Sequence, residues 1–282
     1  VRMAAGKEEG TTDYVLEITE PRNETLALYA DNMGSVLTGH ERFGLIYTNR
    51  SVSKSRDRLT LMTLDARGMK SFLGSYQVPL GRDGSTMRIG YSANATRIVQ
   101  GALEPLHVRG HSTGVNIGFN IPLYVTTKRK TELYAGYGRT HAQTDFAGNH
   151  WIDDRVDGWN ISVTETLYGR KSALLMTHGI RAAASENIRH EESHYSMYQG
   201  NVFYQTRTHG SQMITARLDG QVAFAHYIPS AERFYIGGAQ SVRGYEESLL
   251  GGDSGYAASI EYAFPMLPKS CAYGFLFYDC GA

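Results

Sequence analysis

Gly114-Val115-Asn116-Ile117-Gly118-Phe119-Asn120-Ile121 is the stretch that decides the fold class. Val115, Ile117, Phe119 and Ile121 fall on one side of an extended chain, and Gly114, Asn116, Gly118 and Asn120 on the other. Period two is the period of a strand, because successive Cβ atoms alternate across the pleat. Regular alternation of apolar and polar residues marks antiparallel strands with one face out of water and the other in it.

The pattern recurs in both directions from there. In 158–166, Trp159, Ile161 and Val163 oppose Asn160, Ser162 and Thr164. In 255–262, Tyr256, Ala258, Ile260 and Tyr262 oppose Ala257, Ser259 and Glu261. Helical periodicity is almost absent. Thirteen such segments are predicted, at 25–31, 40–50, 57–66, 70–79, 85–94, 111–126, 131–144, 156–167, 172–184, 195–207, 211–225, 255–265 and 272–281. Many run to ten residues or more. Strands of soluble sheets are mostly about 5–6 residues long, whereas a tilted membrane strand needs about 9–11. A soluble β-sandwich would alternate in the same way with shorter strands. The reading is an all-β chain forming a transmembrane antiparallel β-barrel, with its apolar face toward lipid and its polar face toward a water-filled lumen.

Composition agrees with that. Lys+Arg and Asp+Glu number 28 each, so the chain lacks the basic excess of a nucleic-acid binder. No apolar run is long enough for a membrane helix, and a start at Val1 without Met or an apolar stretch leads to the expectation of a mature or truncated chain. Tyrosines number 19 against 10 Phe and 2 Trp, a bias suited to aromatic girdles at the two membrane surfaces. Two cysteines, Cys271 and Cys280, are too few for a disulfide framework. On one strand they would stand about 30 Å apart, so both are expected as unpaired thiols.

Connections are predicted to be short after the second, fourth, eighth and twelfth segments and long after the fifth, seventh, ninth and eleventh. That asymmetry places 226–254 as a sixth external loop. A loop beyond about 12–15 residues is usually functional or disordered. An odd strand number does not suit a single-chain bacterial barrel, and an open sheet in lipid leaves backbone groups unsatisfied. The expectation is a sequence truncated at both ends, with about sixty more residues needed for a barrel of about sixteen strands. Thr11 to Glu20 reads as one short strand ended by Pro21, the last strand of a preceding soluble domain.

His190-Glu191-Glu192-Ser193-His194 matches the zinc-protease pattern, but that chemistry needs both histidines on one helix face. Here the motif falls between two strand patterns and reads as a polar loop. Two other segments stand out. Phe234 to Tyr245 is Gly-rich and holds Val242-Arg243-Gly244-Tyr245. Gly274 to Gly281 is a strand with one carboxylate, and parity puts Phe275, Phe277 and Asp279 toward the lumen and Leu276 and Tyr278 toward lipid.

Together these carry a resemblance. Val242-Arg243-Gly244-Tyr245 resembles the VRGY/F motif of the outer-membrane protein assembly and secretion superfamily. Phe277-x-Asp279-x-Gly281 resembles its F-x-D-x-G strand motif. Asp31-Asn32-Met33-Gly34, followed by Thr38-Gly39, is similar to the first-hairpin signature of the two-partner secretion (TpsB-type) transporters of haemolysins, filamentous haemagglutinins and contact-dependent inhibition toxins. The resemblance implies a sixteen-stranded outer-membrane barrel behind two periplasmic POTRA domains. Residues 1–22 would be the end of the second POTRA domain and 23–282 the barrel without its last three strands. It also implies a sixth loop folded into the lumen with Arg243 meeting Asp279, a secreted exoprotein and outer-membrane lipid as partners, and no cofactor, metal or catalysis. Competing readings are a barrel-assembly factor of the same superfamily, the barrel of a patatin-like lipase fusion, and a passive porin.

Overall fold

The computed structural model describes residues 2–15, 22–208, 211–225, 228–266 and 272–282. Its strands are β1 (Arg2–Ala5), β2 (Thr12–Val15), β3 (Glu24–Asp31), β4 (Arg42–Asn49), β5 (Arg58–Ala66), β6 (Met69–Pro79), β7 (Thr86–Arg97), β8 (Arg109–Val125), β9 (Arg129–Phe146), β10 (Asn149–Tyr168), β11 (Ser172–Glu186), β12 (Glu192–Arg207), β13 (Met213–Ala223), β14 (Phe234–Ile236), β15 (Leu250–Gly252), β16 (Gly255–Pro265) and β17 (Tyr273–Gly281). One 13-stranded sheet takes all but β1, β2, β14 and β15. It is an antiparallel meander, every strand pairing with the next, and β13 pairs with β16 across the connection 224–254. The thirteen predicted segments are these thirteen strands.

The sheet's outer edges are β3 and β17, and no ladder joins them among the described residues. Within the connection 224–254, β14 and β15 form a separate ribbon, Phe234 opposite Gly252. The face that this connection covers is the inner face. On the opposite, outer face the apolar half of the alternation is exposed: Ile117 is opposite Ile89 and Tyr137, and Trp159 and Ile161 are 61% and 53% exposed. A soluble sheet would bury such a face.

Two expectations about connections need correction. Long loops were predicted after the seventh and ninth segments, but those strands continue instead. β9 and β10 join through Ala147 and Gly148 alone, both at positive φ (51° and 82°). Paired left-handed residues are the geometry that matches the twist of a tight hairpin, and glycine takes it without strain. Between β11 and β12 only 187–191 intervene. His190-Glu191 thus sits in a turn and Glu192 to His194 on β12, with His194 opposite Ala184. No helix is there to align the two histidines.

The N-terminal segment holds a hairpin rather than one strand, with Arg2 opposite Val15 and Ala5 opposite Thr12. The rest of the strand expected over 11–20 lies outside the described residues. Cys280 has a free thiol on β17, and Cys271 lies outside the described residues.

Candidate functional site

The connection 224–254 attaches to the inner face at several levels. At its root, Ile228 is fully buried against Val156, Ala183, Tyr195 and Met197 of β10–β12. Gln221 on β13 is 4% exposed, and its amide nitrogen donates to the carbonyls of Glu232 and Asp253, one on each stem. Arg233 pairs with Asp253 across the ribbon at 3.1 Å. Higher up, Ile236 and Val242 pack with Ala257 of β16.

This scaffold presents Arg243 to β16 and β17. Alternation puts Ser259 and Glu261 of β16 on the inner face, and the register sets Ser259 opposite Asp279 and Glu261 opposite Phe277. Arg243 Nε donates to Asp279 Oδ2 at 2.7 Å and Nη2 to Oδ1 at 2.8 Å, a two-pronged fit of guanidinium to carboxylate. The Arg243 backbone N–H also donates to Asp279 Oδ2 at 3.0 Å. Nη1 reaches Glu261 Oε2 at 2.5 Å and Nη2 reaches Ser259 Oγ at 3.1 Å. Ser259 in turn donates to Asp279 Oδ1 at 2.7 Å. The guanidinium lies 3.7 Å from the centroid of the Phe277 ring, a cation–π contact. Hydrogen bonds to Asp279, and then Glu261, outweigh partial burial and hold the Arg243 pKa above the ordinary arginine value. The side chain is charged at every accessible pH.

Gly244 follows at φ +92°, a conformation that side chains rarely adopt. It turns the chain away, so that Gly244 and Tyr245 line a cleft of about 320 Å³ shared with Asn32, Met33, Gly34, Val36 and His40. The first-hairpin motif is thereby brought beside the loop motif. Asp31 forms a two-pronged pair with Arg42 at 2.7 and 3.1 Å and accepts the Met33 N–H at 2.9 Å. Thr38 and Gly39 N–H groups both bond the Ser35 carbonyl. The Thr38 carbonyl accepts from Gly68, and the Leu37 carbonyl from Val99, which stitches this hairpin end to its two neighbours. Gly281 completes the F-x-D-x-G strand as the last residue of β17, against Ile236 and Val242.

Sequence reasoning named Val242 to Tyr245, Phe277 and Asp279 as candidates but not Glu261, Ser259, Gln221 or Arg181, which the structure sets beside the same loop. The first two were readable: they share the polar parity of 255–262, one strand from Asp279. Arg181 meets Glu232 across 51 positions of sequence, with no local signal.

The model of the haemolysin secretion/activation protein ShlB/FhaC/HecB family matches residues 10–282. The heme/hemopexin transporter protein HuxB of Haemophilus influenzae is 23% identical over 301 residues, covering 100% of this chain and 52% of HuxB. The chain thus spans about half the length of the curated relatives it matches. Among solved structures, CdiB from Acinetobacter baumannii superposes with a TM-score of 0.78 at 20% identity, over 93% of this chain and 50% of that one. CdiB from Escherichia coli does so with a TM-score of 0.83 at 13% identity, over 99% and 56%. These two share the fold, a transmembrane antiparallel β-barrel. With the family model covering nearly the whole sequence, the chain belongs to the haemolysin secretion/activation ShlB/FhaC/HecB family.

Proposed function

We propose that this chain is the barrel part of an outer-membrane pore that passes a large, unfolded exoprotein of haemolysin or adhesin type from periplasm to cell surface by two-partner secretion. Transport, not catalysis, is its work. The observation that carries the reading is the Arg243 clamp: a long loop lies on the polar inner wall, held near its tip by the forked Arg243–Asp279 pair, by the Arg243–Glu261 pair and by Arg217 Nη1 donating to the Gln240 carbonyl. Such a tip is fixed at rest, yet a polypeptide that competes for Asp279 and Glu261 can displace it. No nucleotide serves in the periplasm, so folding of the cargo outside supplies the drive. Residues 1–22 are read as the end of a periplasmic POTRA domain. Supporting this, the β1–β2 hairpin stands apart from the 13-stranded sheet, and β3 begins at the sheet end opposite the first-hairpin motif.

The test uses the full-length protein co-expressed with its exoprotein. Arg243→Ala should cut surface exoprotein by about tenfold or more while the barrel still inserts. Secretion at the original level would refute the clamp's role.

A further inference from the structure

The loop is tied to the wall in two different sectors. Its tip is held on β16–β17 by Arg243, with Arg217 of β13 adding a hydrogen bond to the Gln240 carbonyl at 3.2 Å. Its root is held on β11 by Arg181, whose Nε and Nη2 donate to Glu232 Oε2 and Oε1 at 2.7 and 2.6 Å. Both side chains are partly buried, 15% and 14% exposed, against 25% and 2% for Arg243 and Asp279. Glu232 closes a 3₁₀ turn, Ser230–Glu232, directly after the buried Ile228 and Pro229. The Glu232 carbonyl is held separately by Gln221 at 2.9 Å. Ion pair, apolar plug and amide clasp therefore converge on 228–232, while the clamp at Arg243 shares no residue with them.

We propose that Arg181 and Glu232 are positioning residues for transport: a second anchor that keeps the loop's root on the β10–β13 wall when the Arg243 tip lets go. The loop then opens as a hinge at its root rather than leaving the wall as a whole, and the fixed root returns Arg243 to Asp279 after transport. Partly buried, forked carboxylate pairs suit this role because their geometry is directional and removing one partner strands the other. The inference rests on the reading of the loop as the element displaced during secretion. Its test reads anchorage alone, so the two can fail separately.

Hydrogen–deuterium exchange of the full-length protein in detergent gives the test. Arg243→Ala should speed exchange over 237–249 by about tenfold or more and leave 228–236 within about twofold of the original protein. Arg181→Ala should speed 228–236 by about tenfold. The exchange of charges, Arg181→Glu with Glu232→Arg, should restore most of that protection, which a purely steric role would not allow. Should Arg181→Ala fail to insert, Glu232→Gln removes the same charge from the loop side and leaves the wall intact. The proposal is overturned if Arg243→Ala frees 228–236 as fully as the root variants do, or if loss of the Arg181–Glu232 pair leaves 228–236 unchanged.

Discussion

The Asp279 side chain is 2% exposed with Arg243 in place, covered by that guanidinium and by the Ser259 hydroxyl. Arg243→Ala removes the counter-charge and the two guanidinium hydrogen bonds, while the backbone N–H of residue 243 and Ser259 Oγ still donate to Asp279. The cost therefore stays below that of a fully stranded buried charge, about 3–5 kcal/mol. Arg243→Lys should rescue little. An ammonium offers a point charge where the site is shaped for a planar fork stacked on Phe277. Secretion by the Lys variant, measured beside Arg243→Ala, is expected to stay within about threefold of the alanine level, because most of the clamp's geometry is lost in both. A second carboxylate behaves differently. Asp57, in the turn between β4 and β5, is 1% exposed and accepts from Tyr76 Oη at 2.6 Å and from the Ser53 N–H and hydroxyl. The Tyr76 hydrogen bond, ahead of those from Ser53, draws its pKa down to about 2. A depressed carboxylate stabilises the fold above its unfolded pKa, about 3.9, and loses that contribution as pH falls through the folded value. Protection of the amides in 51–57, taken relative to the intrinsic exchange rate at each pH, should therefore fall between about pH 4 and pH 2, and Asp57→Asn should remove that pH dependence. At this scale parity gave only the inward face of Asp279, and the Arg243–Asp279 pairing was what the family resemblance implied. Glu261 became a partner only when the register was known.

The outer face of β9 and β10 shows where the membrane stops. Tyr137 and Trp159 are register partners with ring centroids 5.0 Å apart. One step beyond, Asp157 pairs with Arg139 at 2.6 Å, and then His141 with Asp153 at 2.7 Å. At the other end, Arg129 pairs with Glu165 at 2.8 Å. From Tyr137 to Arg129 is roughly 27 Å of strand, and a tilt of about 40° makes that about 21 Å of height, near the apolar band of an outer-membrane barrel. Ile161→Arg, inside the band, should cost about 2–4 kcal/mol and lower the assembled, heat-modifiable fraction, whereas Ser162→Arg on the inner face should leave assembly nearly unchanged. Equal effects would mean that the faces were assigned wrongly. The same boundary explains why strand existence was legible and strand ends were not. Within the band, lipid on one side and water on the other enforce alternation. Beyond it both faces meet water, and Asn149-His150-Trp151-Ile152-Asp153-Asp154-Arg155, outside the predicted segment 156–167, shows no regular alternation. That composition reads as loop, yet β10 begins at Asn149 and its ladder with β9 runs through the stretch.

Across the whole molecule, the meander order was readable because each strand pairs with the next, and the one long connection marked itself by length. What connects distant parts was not: the loop between β13 and β16 reaches back to the first hairpin, and its root reaches β11. Parity and register together assign a continuous polar inner wall on which Ser162 and Asn201 lie, the latter donating to Asp219 at 2.6 Å, with Ile161 pointing the opposite way. If a polypeptide is exported through this wall's interior, it must pass those side chains. The decisive measurement is photo-crosslinking from single positions in the full-length protein, co-expressed with the exoprotein proposed as its cargo. A photoreactive residue at Ser162 or Asn201 is expected to capture the exoprotein in transit, and one at Ile161 to capture none. Capture from Ile161 alone, or from none of the three during active secretion, would contradict the account.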